Sequence, residues 1–240
     1  LLFITAFVVL FPLSFVVSAS LTPYEEVIRN GGFLVIPKKV TFEAYQTLLE
    51  KSTLTNSFQI SAFITIVGMV MNMIFTVLTA YPLSRKTLPG RKIIMYFIVF
   101  TLMFNGGIIP TYLVVQETGL INTPWAMIVP QLIWTSNLLI LKNFMEKTPM
   151  ELLESAKIDG ANEMCMLVQI MLPLCVPVMI TVAMYYGVAH WNEFQQAILY
   201  ITKQNMMPVQ VIVRDILNAS QQVIDVDQVV PTMTLQMASV

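Results

Sequence analysis

Five apolar stretches separated by short polar connections run along the chain, at residues 1–20, 54–83, 93–116, 124–141 and 164–189. A bilayer core of about 30 Å is crossed by roughly 20 apolar residues in helical form, and each stretch meets or approaches that length. The pattern predicts an all-α, polytopic membrane protein with a single transmembrane domain over residues 1–240. The second stretch has no charged residue between Lys51 and Arg85. The third is interrupted by Asn105-Gly106-Gly107 and Pro110, which reads as a helix end needing positive φ rather than as a re-entrant substrate site. The first lacks the basic leader and small-residue cleavage site of a signal peptide and reads as a membrane span. Apolar character resumes at Leu235 and Met237, where a sixth span is expected to begin. Five of six spans are thus expected here, with the C-terminal one missing and both ends reading as cut.

The connections orient these spans. Arg85, Lys86, Arg91 and Lys92 crowd the loop 84–92, which holds no acidic residue, so that loop is expected on the cytoplasmic side. Counting forward puts residues 105–123 outside, a charged loop at 145–173 inside, and the segment 191–236 outside. Composition agrees with lipid as the solvent. The chain is 56% hydrophobic and only 11% charged, where soluble domains carry about 25% charged residues. Its net charge of −1 gives no sign of a nucleic-acid partner. Cys165 and Cys175 have neither metal-ligand nor redox-motif spacing and read as small apolar side chains.

The charged loop carries the chemistry. Lys142, Lys147 and Lys157 stand against Glu146, Glu151, Glu154, Asp159 and Glu163. Pro149 suits a first helical turn, and Glu151 and Glu154 lie near the positive end of the helix dipole. A short amphipathic helix is predicted from about Met150 to Ile158, with Leu152, Leu153 and Ala156 on one side. Gly160 then supplies a tight exit turn, and Pro173 and Pro177 kink or interrupt the next span near its start. Among polar residues inside spans, Asn72 and Asn137 either touch substrate or bond between helices. Tyr81 and Trp191 read as interface anchors. His190, the only histidine, has no second His or Cys placed to help it hold a metal.

Glu154-Ser155-Ala156, followed by Gly160, Ile170, Leu172 and Pro173, resembles the EAA loop of ABC importer permeases; Ser155 stands where that pattern usually has Ala. The likeness extends to AYPLSRKTLPGRK (80–92), FNGGIIPTYLVVQETGLINTPWA (104–126), HWNEFQQAILYI (190–201) and PVQVIVRDIL (208–217). Together these are similar to the MalG-type permeases of carbohydrate importers, in the LplC/YtcP-like branch. The resemblance implies a type I importer transmembrane domain in a bacterial plasma membrane. It implies a second, MalF/LplB-like permease, a MalK/MsmX-like ATPase dimer and an external sugar-binding protein as partners. Glu154, Ser155, Ala156, Asp159 and Gly160 would couple to the ATPase, with Ile170, Leu172 and Pro173 anchoring the loop. ATP and Mg would be used by the ATPase, with no cofactor bound by this chain.

Other function classes fit less well. An ion-driven transporter normally carries ionisable residues within its spans, and the stretch 54–84 has none. The sequence has no G-x-S-x-G, no H-E-x-x-H and no G-x-x-x-x-G-K-[ST]. A protease or metalloenzyme, and ATP binding by this chain, are therefore not expected.

Overall fold

The computed structural model describes residues 2–23, 26–27, 40–43, 45–46 and 52–218. Among them every regular element is helical. The chain forms two compact units, residues 1–56 and 57–240. In the first, α1 (Leu2–Ser20) is a helix of 19 residues that contains Pro12. It ends where Thr22 Oγ1 donates to the Ser18 carbonyl, and the Leu21 carbonyl accepts from the Thr41 N–H.

Among the described residues α1 carries only a shorter apolar stretch, Val8–Ser20, and two other helices are long and apolar enough to cross a membrane. The first is α2 (Ser52–Ser84). The basic loop follows, and α3 (Arg91–Met103) begins after Gly90 at φ 72. The third apolar stretch is not one straight span. α3 and α4 (Ile108–Glu117) meet at 115°: α3 ends at the extended Phe104, and α4 starts after Gly107 at φ 89. The expected positive φ is there, and the bend turns the chain aside. The fourth stretch is likewise broken. Pro124–Met127 and Val129–Gln131 form 3₁₀ turns, and a bend of 49° leads into α5 (Thr135–Glu146).

The short surface helix α6 (Met150–Ile158) has the bounds expected of it. The other long span is α7 (Glu163–Asn192), interrupted by a π turn at Met166–Met171. Pro173 has no N–H to donate and its ring crowds the carbonyl four residues back. The wider π turn, in which the Leu172 N–H reaches the Leu167 carbonyl, accommodates it. After α7 come α8 (Gln195–Tyr200) and a helix over 209–218. The expected sixth span near Leu235 lies outside the described residues.

Two buried clusters organise the second unit. One gathers the C-terminal end of α2, α5, α6 and the start of α7 around Tyr81, Leu141, Met145, Leu153 and Met171. The other, around Ile64, Ile128, Ile201 and Val211, lies toward the N-terminal end of α2.

Candidate functional site

The charged loop is held from one side and open on the other. Leu153 is 6% exposed and Ala156 is half-buried; both pack against the first cluster. Burying a leucine contributes about 2 kcal/mol, which seats the helix. At 100° per residue, Glu151, Glu154, Ser155 and Ile158 fall on the opposite face. All four are exposed, and Ile158 is 86% exposed. Leu152 departs from expectation: it is 45% exposed and does not share the buried side with Leu153 and Ala156. One position along a helix rotates a side chain too far for three near-consecutive residues to share one narrow contact.

Gly160 completes the helix end. At φ 83 it lets its own N–H reach the Lys157 carbonyl (3.1 Å) and the Ala161 N–H reach the Ala156 carbonyl (2.9 Å). This pair of bonds is a Schellman motif, which satisfies carbonyls that a helix end otherwise leaves open. Asp159 is the exposed last residue before that turn. The Asn162 side chain then accepts from the Cys165 N–H at 2.7 Å and starts α7. Ile170 and Leu172 pack against the first cluster, while Pro173 is exposed and acts through the backbone alone.

A polar network ties this loop to the basic one. Tyr81 Oη donates to Glu163 (2.8 Å) and accepts from the Arg85 guanidinium, which lies 3.8 Å from the Glu163 carboxylate. Tyr81 is thus a buried link between loops rather than an interface anchor. Arg91 donates to the Leu83 carbonyl and to Glu146, which also pairs with Lys142. Between the two loops lies a cleft of about 170 Å³ lined by Arg85, Leu153, Glu154, Lys157 and Glu163. Beside it, Tyr81, Arg85, Leu88, Glu163 and Leu167 line a larger one of about 460 Å³.

Asn72 and Asn137 lie apart from this site. Asn72 is fully buried; its amide donates to the Gln131 carbonyl (3.0 Å), and its oxygen lies 3.5 Å from His190 Nε2. Asn137 is also buried, and its amide nitrogen has no partner among the described residues. His190 is 5% exposed, and its ring packs against Gly68 so closely that a Cβ there would meet Nε2 at 2.7 Å. Below it, Tyr186 Oη bonds Thr76 (2.8 Å) and accepts from the Trp134 N–H (3.2 Å). The sequence reading offered Asn72 as a bond between helices but did not pair it with His190 across α2 and α7. Gly68, the one glycine of α2, was a second visible signal.

Two membrane-length helices thus carry a charged surface helix at one end, beside a basic loop. No protein-family model matches the chain. It is 40% identical over 215 residues to the polygalacturonan/rhamnogalacturonan transport system permease protein YtcP of Bacillus subtilis, covering 90% of this chain and 75% of that protein. It is 39% identical to the protein LplC of the same organism, covering 87% and 70%. It superposes on a chain from the crystal structure of a bacterial ABC transporter involved in the import of the acidic polysaccharide alginate. That match has a TM-score of 0.85 and 27% identity, covering 89% of this chain and 76% of the other. These likenesses define an ABC importer permease. The chain belongs to the MalG-like family of carbohydrate ABC transporter permeases. It is a multi-pass membrane subunit of a bacterial importer complex that includes an ATPase and other transporter subunits. Such a permease is not an enzyme and binds no cofactor itself.

Proposed function

We propose that this permease forms half of the translocation path of an ATP-driven oligosaccharide importer and couples to its ATPase through α6. The observation that carries the reading is the two-sidedness of that helix: Leu153 and Ala156 are held by the core, while Glu151, Glu154, Ser155 and Ile158 face outward. Among the described residues no hydrogen bond or ion pair engages the Glu154 side chain. A helix seated in this way transmits force as a rigid body. Closure of an ATPase dimer on ATP would push it and, through Leu153, Met166 and the Tyr81–Glu163 link, move α2 and α7. ATP and Mg stay on the ATPase. Glu154 and Ser155 would meet the ATPase surface, Asp159 and Gly160 would set the exit turn, and Ile170, Leu172 and Pro173 would join the loop to α7.

The wider assembly follows from the same reading. A second, homologous permease completes the path, and an external binding protein delivers the sugar. The described helices supply two membrane-length spans, or four when each bent pair is counted as one; in this reading α1 adds a fifth of a six-span core, and the basic loop and α6 lie on the cytoplasmic side. α3 has no buried residue, and Tyr96, Phe97 and Met103 are each at least 69% exposed, which suits lipid or the second permease. Relatives are named for polygalacturonan/rhamnogalacturonan and for galactooligosaccharides, which supports an oligosaccharide rather than a monosaccharide cargo. Asn72 and Asn137 belong to the sugar path only when helices part, since Asn72 is sealed between α2, Gln131 and α7.

Copurification tests the coupling. Glu154→Ala is expected to leave membrane insertion unchanged and to lower ATPase recovery with the permease several-fold, as removal of a charged interface partner does. Sugar uptake falls with it. Unchanged recovery and uptake would count against α6 as the coupling element.

A further inference from the structure

At the far end of α7 from Glu163 lies a cleft of about 270 Å³ that none of the roles above uses. It is bounded by the α3–α4 bend and by α8. Among the described residues Asn105, Thr111, Gln131, Glu193, Gln195 and Gln196 line it, and no Lys or Arg does. We propose that it is a subsite for an uncharged sugar residue of the oligosaccharide, on the external side of the permease. The orientation rests on the functional reading given above.

The lining is matched to hydroxyl groups. A sugar hydroxyl both donates and accepts, and an amide side chain offers both functions side by side. Four amide-bearing residues border this cleft, and three of its polar side chains are already partly fixed. Asn105 Oδ1 accepts from the Gly107 N–H at 3.0 Å, which leaves its amide donors for a ligand. Thr111 Oγ1 donates to the Gly107 carbonyl at 2.8 Å, so its oxygen remains an acceptor. Glu193 Oε1 accepts from the Gln196 N–H at 3.0 Å in the first turn of α8, which pins the carboxylate and leaves its other oxygen open. The Gln196 side-chain oxygen is screened from solvent and has no hydrogen-bond partner among the described residues.

Charge decides which sugar. A uronate needs a cation, and an Arg fork is the usual answer to a carboxylate. Among the described residues the one charged group lining the cleft is Glu193 itself, so a uronate would meet a like charge in a partly enclosed site. The cleft is also slightly below the roughly 300–1,000 Å³ of sites that enclose whole ligands. It therefore holds one portion of a chain rather than the full oligosaccharide. The Gln131 backbone joins the cleft to the membrane interior, because its carbonyl is the acceptor for Asn72.

Saturation-transfer NMR on the assembled importer, without its binding protein, tests this. The probes are galactotetraose, cellotetraose and maltotetraose as neutral sugars, and tetragalacturonate as the charged one. At least one neutral tetrasaccharide is expected to receive saturation, and tetragalacturonate about tenfold less or none. Gln195→Trp, which fills the mouth from an exposed position, should abolish the neutral signal, and Gln195→Ala should weaken it. Glu193→Gln should raise the tetragalacturonate signal toward the neutral level. No neutral signal that depends on Gln195, or wild-type binding of tetragalacturonate at neutral-sugar strength, would overturn the proposal. Copurification of the ATPase is read in the same preparations. Its failure bears on α6 alone, and intact ATPase recovery with no Gln195-dependent signal bears on the cleft alone.

Discussion

Replacing Gly160 with proline is expected to abolish uptake while leaving the permease in the membrane. At φ 83 no proline fits, since its ring fixes φ near −65°. The substitution also deletes the N–H that reaches the Lys157 carbonyl, and it drives Asp159 (φ −72, ψ 3) out of its helical conformation. The change thus removes the left-handed turn and both bonds of the Schellman motif at once, whereas a residue that keeps the N–H removes neither bond outright. The helix should then fray from its C-terminal end and fail to transmit force. Gly160→Ala is the graded control: it keeps the N–H and carries only the left-handed penalty of about 1–2 kcal/mol. Uptake below about a tenth of wild type is expected for proline, which cannot adopt the turn, with partial retention for alanine, which can at that penalty. Equal uptake by both variants would separate transport from the geometry of this turn.

A second large effect is expected at the opposite end of the molecule's polar seam. Gly68→Leu places a Cβ 2.7 Å from His190 Nε2 and a whole side chain beyond it. The ring must leave its place against Asn72, or α2 and α7 must part. Overpacking of this kind costs typically about 1–3 kcal/mol and here also breaks a buried polar contact. The purified permease should lose thermal stability and accumulate poorly. Gly187→Ala is the matched control, because its Cβ would only touch the flexible Met69 Sδ at 3.5 Å. Shrinking the partner should rescue: Gly68→Ala combined with His190→Ala should be more stable than the sum of the single changes. Additive effects would show that the ring is not what Gly68 accommodates.

Much of the fold was legible from local pattern. α2 was expected over 54–83 and spans Ser52–Ser84; α6 and the positive φ at Gly160 fall where the sequence put them. These are features of hydrophobic run length and turn chemistry, both local. The bend after Met103 was marked by Asn105-Gly106-Gly107, yet a glycine permits many angles and does not specify 115°. The fourth stretch misled because apolar length alone cannot separate 3₁₀ turns around Pro124 and Pro130 from a straight helix. Lys142 and Glu146 were assigned to a loop by their charge, and they lie on α5 because Arg91 and each other neutralise them. The seam of His190, Gly68 and Asn72 joins residues more than a hundred positions apart, and no spacing rule in one sequence reveals it.

The most direct test of the central claim is an ATP-dependent cysteine crosslink from α6 in native membranes. Cys165→Ser and Cys175→Ala clear the background, alanine being used at the second because that site is fully buried. A single cysteine at Ile158, on the exposed face, is compared with one at Leu153, which is held in the core. The account predicts that Ile158→Cys crosslinks to a cysteine in the surface cleft of the importer's ATPase, that ATP changes the yield, and that Leu153→Cys does not react. Equal reactivity at both positions, or no ATPase adduct from Ile158→Cys in correctly inserted permease, would contradict it.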